Sequence, residues 1–133
     1  GGIKMEKEKI LKLLESVTAH FLEELDIARE GILSGNNWKV KEALKELKAK
    51  ITDAKAEDFQ FHGRHSLFIP WRKDLLCKKA VLEAYLTNKP KDWEKVHKEY
   101  LNLADILKTS RMVADTIAYR HALDLSEFVK LNF

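Results

Sequence analysis

Apolar side chains recur every three or four positions along nearly the whole chain, and this spacing restricts the fold more than any other feature. Ile10, Leu14, Val17, Phe21, Leu25, Ala28 and Ile32 form one such row, widened by Leu11, Leu22 and Leu33. Val40, Leu44, Leu47, Ile51 and Ala54 form a second, and Leu75, Leu82 and Tyr85 lie on a third. From Lys91 a fourth runs through Trp93, Val96, Tyr100, Leu103, Leu107, Ala114, Ile117, His121, Leu125 and Phe128. At about 3.6 residues per turn each row lines one face of a helix. Strand alternation appears only at Phe59 and Phe61.

The breaks between rows carry turn chemistry. Gly31, Gly35, Asn36 and Asn37 supply left-handed and capping conformations, so the first helix stops there and a second begins at Asn37. The stretch 56–70 loses the helical period, and a third helix is expected from Pro70 or Trp71 to about Thr87, where Asn88-Lys89-Pro90 ends it. The last row would measure about 60 Å as one helix, so a kink or division is expected. Thr109-Ser110 and Leu123-Asp124-Leu125-Ser126 are the end signals in reach. The predicted fold is all-α: an antiparallel four-helix bundle with an irregular aromatic loop at 56–70 and a long, kinked or divided C-terminal helix. One domain over 5–133 is expected, residues 1–4 being a remnant ahead of Met5.

With 133 residues the chain suffices for one core, and a single cysteine excludes a disulfide framework. No apolar run approaches the roughly 18 residues that cross a bilayer, and the start lacks a basic-then-apolar signal. Cytoplasmic residence with no membrane partner is the expectation.

The net charge of +3 is unevenly spread. Residues 36–56 hold six basic and three acidic side chains and 62–79 hold five and one, whereas 80–133 is balanced. In the second block Arg64, Arg72, Lys73, Lys78 and Lys79 accompany Trp71, Phe68, His62 and His65, the mixture of cations and flat rings that single-stranded nucleic acid uses for phosphate contact and base stacking. Lys41, Lys45 and Lys48 make a further basic stripe. Ordinary solvated helix faces look the same.

Glu94-x-x-His97 places a carboxylate and an imidazole on one helix face, the spacing of carboxylate-bridged dimetal bundles. A full site needs a second copy, and His20 with Glu23 or Glu24 has the order reversed. His62 and His65 are a second pair of metal-ligand types lacking a third ligand. His121 falls on the apolar row and reads as a hydrogen-bonded core residue. Cys77 lies beside Lys78 and Lys79, with no base fixed next to it, and reads as a small buried hydrophobe. No cofactor is expected, and catalysis is not the favoured reading.

Ala56-Glu57-Asp58-Phe59-Gln60-Phe61-His62, then Val81-Leu82-Glu83-Ala84, then Tyr100-Leu101 with Ala104-Asp105 resemble, in order, segments of the translin and Trax family over most of the chain. The resemblance implies an all-helical protein that assembles into shells and binds single-stranded RNA or DNA. In nucleases of the Trax type it implies four metal-binding acids. Glu83 and Asp105 stand at two of these positions, but Ala80 and Thr109 occupy the others.

The leading expectation is a non-catalytic helical interaction module that self-associates, as a dimer or higher, with the last helix as interface. The alternatives are a single-stranded nucleic-acid-binding protein using Arg64, Trp71, Arg72, Lys73, Lys78 and Lys79, and a metal-binding bundle using His62, His65, Glu94 and His97. Another protein is a further candidate partner.

Overall fold

The structure, a computed structural model, describes residues 2–18, 22–55, 68–109 and 113–133. They form six helices: α1 (Gly2–Leu13), α2 (Glu23–Ser34), α3 (Asn37–Asp53), α4 (Phe68–Thr87), α5 (Pro90–Lys108) and α6 (Val113–Asn132). No strand occurs among the described residues, so the protein is all-α. Helices α2 to α6 each pack against the next in the chain, and α1 touches α2, α4 and α6. Among the described residues no helix is long and apolar enough to cross a membrane.

Four expected helices become six because the first and the last are each divided. The apolar period runs unbroken through Leu14 and Val17, yet the helix stops at Leu13. The reason lies in distant side chains that take over the backbone groups a longer helix would have paired. The Tyr100 hydroxyl donates to the Leu13 carbonyl and the Arg29 guanidinium to that of Leu14, at 2.5 and 2.6 Å. The Val17 and Thr18 amides donate to the Asp74 carboxylate at 3.0 and 3.2 Å. These four backbone groups are thus paired outside a helix, while Leu13, Leu14 and Val17 all stay buried.

The α2–α3 turn follows its sequence closely. Gly35, at φ +71°, ends α2 with its amide and that of Asn36 donating back to Ile32 and Gly31. The Asn36 side chain then accepts from the Lys39 amide and starts α3. Beyond it Val40, Leu44, Leu47 and Ile51 are buried as expected, together with Ala43. Helices α2 and α3 approach closely at Gly31, where an added Cβ would lie 2.8 Å from Val40 Cγ2 and 3.1 Å from the Val40 amide nitrogen. Alanine would gain about 1 kcal/mol of helix propensity, but Val40 is fully buried and cannot yield freely. Gly31→Ala is therefore expected to destabilise by about 1–2 kcal/mol in urea unfolding. An increase in stability would show that the α2–α3 contact relaxes.

Two boundaries differ from expectation. Helix α4 begins at Phe68, so 68–70 belong to it and not to the loop; 56–67 lie outside the described residues. The last row divides near Thr109, which caps α5, but the second end signal is unused: Ser126 sits inside α6. Counted on from buried Leu107, Ala118 and Leu125 stand eleven and eighteen positions away, close to three and five full turns, while Ile117 falls well to one side. The buried row of α6 is Ala118, Ala122, Leu125, Ser126 and Val129, so Ile117, expected inside, is 68% exposed. Leu33, likewise expected to widen a core stripe, is 58% exposed.

Candidate functional site

Of the basic block expected to bind nucleic acid, Lys78 is not at the surface. Lys78 is 1% exposed and lies within the core, so it cannot reach a polyanion. Its ammonium donates to Asp74 Oδ1 at 2.7 Å and to the Tyr100 hydroxyl at 3.0 Å, and it stands 5.0 Å from the centre of the Tyr100 ring. The i,i+4 spacing of Asp74 and Lys78 that makes this pair was readable as a lysine with its acid one turn earlier. Lys73 is paired with Glu99 at 2.8 Å and Lys79 with Glu83 at 3.2 Å. Trp71 packs against the core with its ring 6.2 Å from that of Phe68, and Arg72 is half-buried. Arg64, His62 and His65 lie outside the described residues, as does His20.

Asp74 is buried with Lys78. Burial pushes its carboxyl up, but the Lys78 charge and hydrogen bond and the Val17 and Thr18 amides outweigh this and hold it below the ordinary value of 3.8. Cys77 is also buried, and the loss of water raises its thiol well above the usual range in spite of the Lys78 charge. It is poorly suited to act as a nucleophile.

Glu94 and His97 do share a wall. They line an open cleft of about 340 Å³ with Trp93, Lys130 and Phe133, between the start of α5 and the end of α6. The Trp93 and Phe133 rings stack at 3.9 Å. His97 Nδ1 lies 2.9 Å from both the carbonyl and the hydroxyl oxygen of Ser126. A carbonyl only accepts, so the ring proton that bridges the two helices sits on Nδ1. His97 thus ties α5 to α6. Glu94 is exposed, 4.0 Å from Lys98. Among the described residues no group of three or more His, Cys, Asp or Glu is placed to hold a metal ion. That statement covers Glu83, which faces Lys79, and Asp105, which is exposed. His121 is hydrogen-bonded as expected, to Glu15 at 3.1 Å, but at the surface and not in the core.

Among the described residues, large apolar side chains stand exposed in pairs on α6 and at the α2–α3 turn, with Ile69 on α4, Leu101 on α5 and the terminal Phe133 exposed singly. Ile117 and Leu131, the latter 79% exposed, stand fourteen positions apart, close to four full turns, and so on one face. Arg120, Asp124 and Glu127 occupy the exposed positions between them. Half-buried Leu123 borders that face. Ser126, which bonds His97 of α5, lies on the opposite side of α6, whereas His121, paired with Glu15, and Phe128, under Lys12, lie along one edge of that face beside α1 and the residues after it.

No family model, curated protein or solved structure matches the chain.

Proposed function

We propose that this protein is a non-catalytic interaction and assembly module that self-associates through the outer face of α6. The observation that supports the reading is the order of exposed residues along that face: Ile117, Arg120, Asp124, Glu127, Leu131. Two copies laid antiparallel about Asp124 set Ile117 against the partner's Leu131 and bring Arg120 beside the partner's Glu127. Such a face is complementary to itself, which is what a two-fold interface requires. The two Asp124 carboxylates meet near the axis, each within a turn of an arginine. A dimer is the closed form this geometry favours.

The same reading takes the long helices α3, α4, α5 and α6 as running alternately up and down, an antiparallel four-helix bundle to which α2 and α1 are added. Two-residue links at Gly35–Asn36 and Asn88–Lys89 and the contacts of each helix with the next support that arrangement.

Light scattering and sedimentation equilibrium test the proposal. Ile117→Glu combined with Leu131→Glu is expected to weaken association by at least about a hundredfold, because burying such side chains contributes about 1.5–3 kcal/mol each. Helix content should be unchanged, both residues being exposed. Arg120→Glu should weaken association, and adding Glu127→Arg should restore it. A wild-type protein that stays monomeric at millimolar concentration, or a dimer indifferent to these changes, would remove the proposal.

A further inference from the structure

The α2–α3 turn presents a second open surface of different character. All residues from Leu33 to Trp38 are exposed, Trp38 by 70%. The turn joins α2 to α3 just beyond their close approach at Gly31 and Val40. Its backbone is held by the Gly35 reversal and the Asn36 cap, so both apolar side chains are carried on a fixed support.

Charge is arranged behind this tip. Leu33 to Trp38, Leu-Ser-Gly-Asn-Asn-Trp, contain no ionisable side chain. Lys7 brings its ammonium to the Leu33 carbonyl at 3.3 Å. Lys41 and Lys45 follow Trp38 by three and seven positions and share its face of α3, and Lys48 lies further along it. None of Lys41, Lys45 and Lys48 forms an ion pair with a described residue, whereas the nearby Glu30 is already taken by Lys39 at 2.8 Å.

We infer that this tip seats on an anionic lipid surface, Leu33 and Trp38 entering the headgroup layer while Lys7, Lys41 and Lys45 meet the acidic headgroups above them. The order of groups with depth decides the partner. A bilayer interface is apolar inside and negative outside, it favours an indole at the boundary, and lysines reach back toward water. A nucleic-acid strand would need cations at the point of contact and would give an aliphatic prong such as Leu33 nothing to stack on. The expectation that the chain has no membrane partner rested on the lack of a spanning run, which a peripheral contact does not need.

Vesicles of phosphatidylcholine with phosphatidylserine, vesicles of phosphatidylcholine alone, and a single-stranded oligonucleotide are the probes. The protein should co-sediment with the mixed vesicles at least tenfold more strongly than with the neutral ones, and its indole emission should shift to shorter wavelength. Most of that shift should vanish in Trp38→Phe, because Trp93 is buried and Trp71 half-buried. Leu33→Ser with Trp38→Ser should lower partition at least tenfold, and Lys41→Glu with Lys45→Glu likewise, with the circular dichroism of each unchanged. Equal binding to both vesicle types, no binding to either, or partition unaffected by the Leu33 and Trp38 changes would overturn the inference. So would oligonucleotide binding that depends on Trp38 but not on Leu33.

Discussion

Lys78→Met is expected to lower the unfolding free energy by about 3–5 kcal/mol, among the largest losses available to a single substitution in this chain. Methionine fills nearly the same volume, so the loss does not come from a cavity. It comes from Asp74, which in a water-free site loses its cation and must either bear a lone charge or take up a proton, and from the Tyr100 hydroxyl, which loses the donor at 3.0 Å. The comparison that isolates burial is Lys73→Met. Lys73 also pairs with an acid at 2.8 Å, but both partners are in reach of water, and that change should cost no more than about 1 kcal/mol. Replacing both members of the buried pair, Asp74→Leu with Lys78→Met, removes the stranded charge. In many proteins such a swap is neutral. Here it should recover only part of the loss, because the amides of Val17 and Thr18 would have no acceptor, at about 1–3 kcal/mol for each one left buried. Urea unfolding of the three variants beside the wild type decides the matter: if Lys78→Met costs under about 1 kcal/mol, the pair does not anchor the fold.

The same network marks where the sequence could be read and where it could not. The start of helix α3 and most of its buried row were legible, since its turn glycine, capping asparagines and apolar spacing are all local, although Ala54, placed in the row, lies past its end and buried Ala43 was left out. The division of the last helix was legible too, because Thr109 and the length of the row both argue for it. The break after Leu13 was not, for it is imposed by Asp74, Tyr100 and Arg29, which are remote in sequence and whose side chains meet that segment only in the folded chain. Lys78 was misplaced for a related reason. A lysine beside a second lysine on a helix resembles surface, and although its acid one turn earlier was in view, the Tyr100 hydroxyl from α5 and the amides that hold Asp74 in place come only with the fold. On α6 the error was one of step: taking three residues on from Ala114 placed Ile117 inside, whereas four reach Ala118, from which Ala122, Leu125 and Val129 follow at steps of four, three and four. Trp38 could have been found, standing two positions before Val40 and so on the opposite face of α3.

Acid should act on the protein through Asp74 first. Because its folded carboxyl titrates below 3.8, the folded state binds fewer protons there than the unfolded chain. Its contribution is therefore complete above that ordinary value and is lost as pH falls from 3.8 through the lower folded value. Once protonated, Asp74 no longer balances Lys78, and its weakened oxygens hold the Val17 and Thr18 amides less well. The expected sequence is local before global: 14–18 loses its hold on α4, and α1, whose other ties include the Tyr100–Leu13 and Arg29–Leu14 bonds, loosens with it. Hydrogen exchange at about pH 5 and about pH 3 should show protection of the Val17 and Thr18 amides falling at the lower pH by more than that of α5. Other carboxylates titrate in the same range, so the control is Asp74→Asn. That variant should be less stable at neutral pH by about 2 kcal/mol or more, having lost the charge opposite Lys78, and its stability should depend less steeply on pH below 3.8. Parallel curves for the two proteins through that window would mean that Asp74 is not held ionised by the fold, and the account of the break after α1 would fail with it.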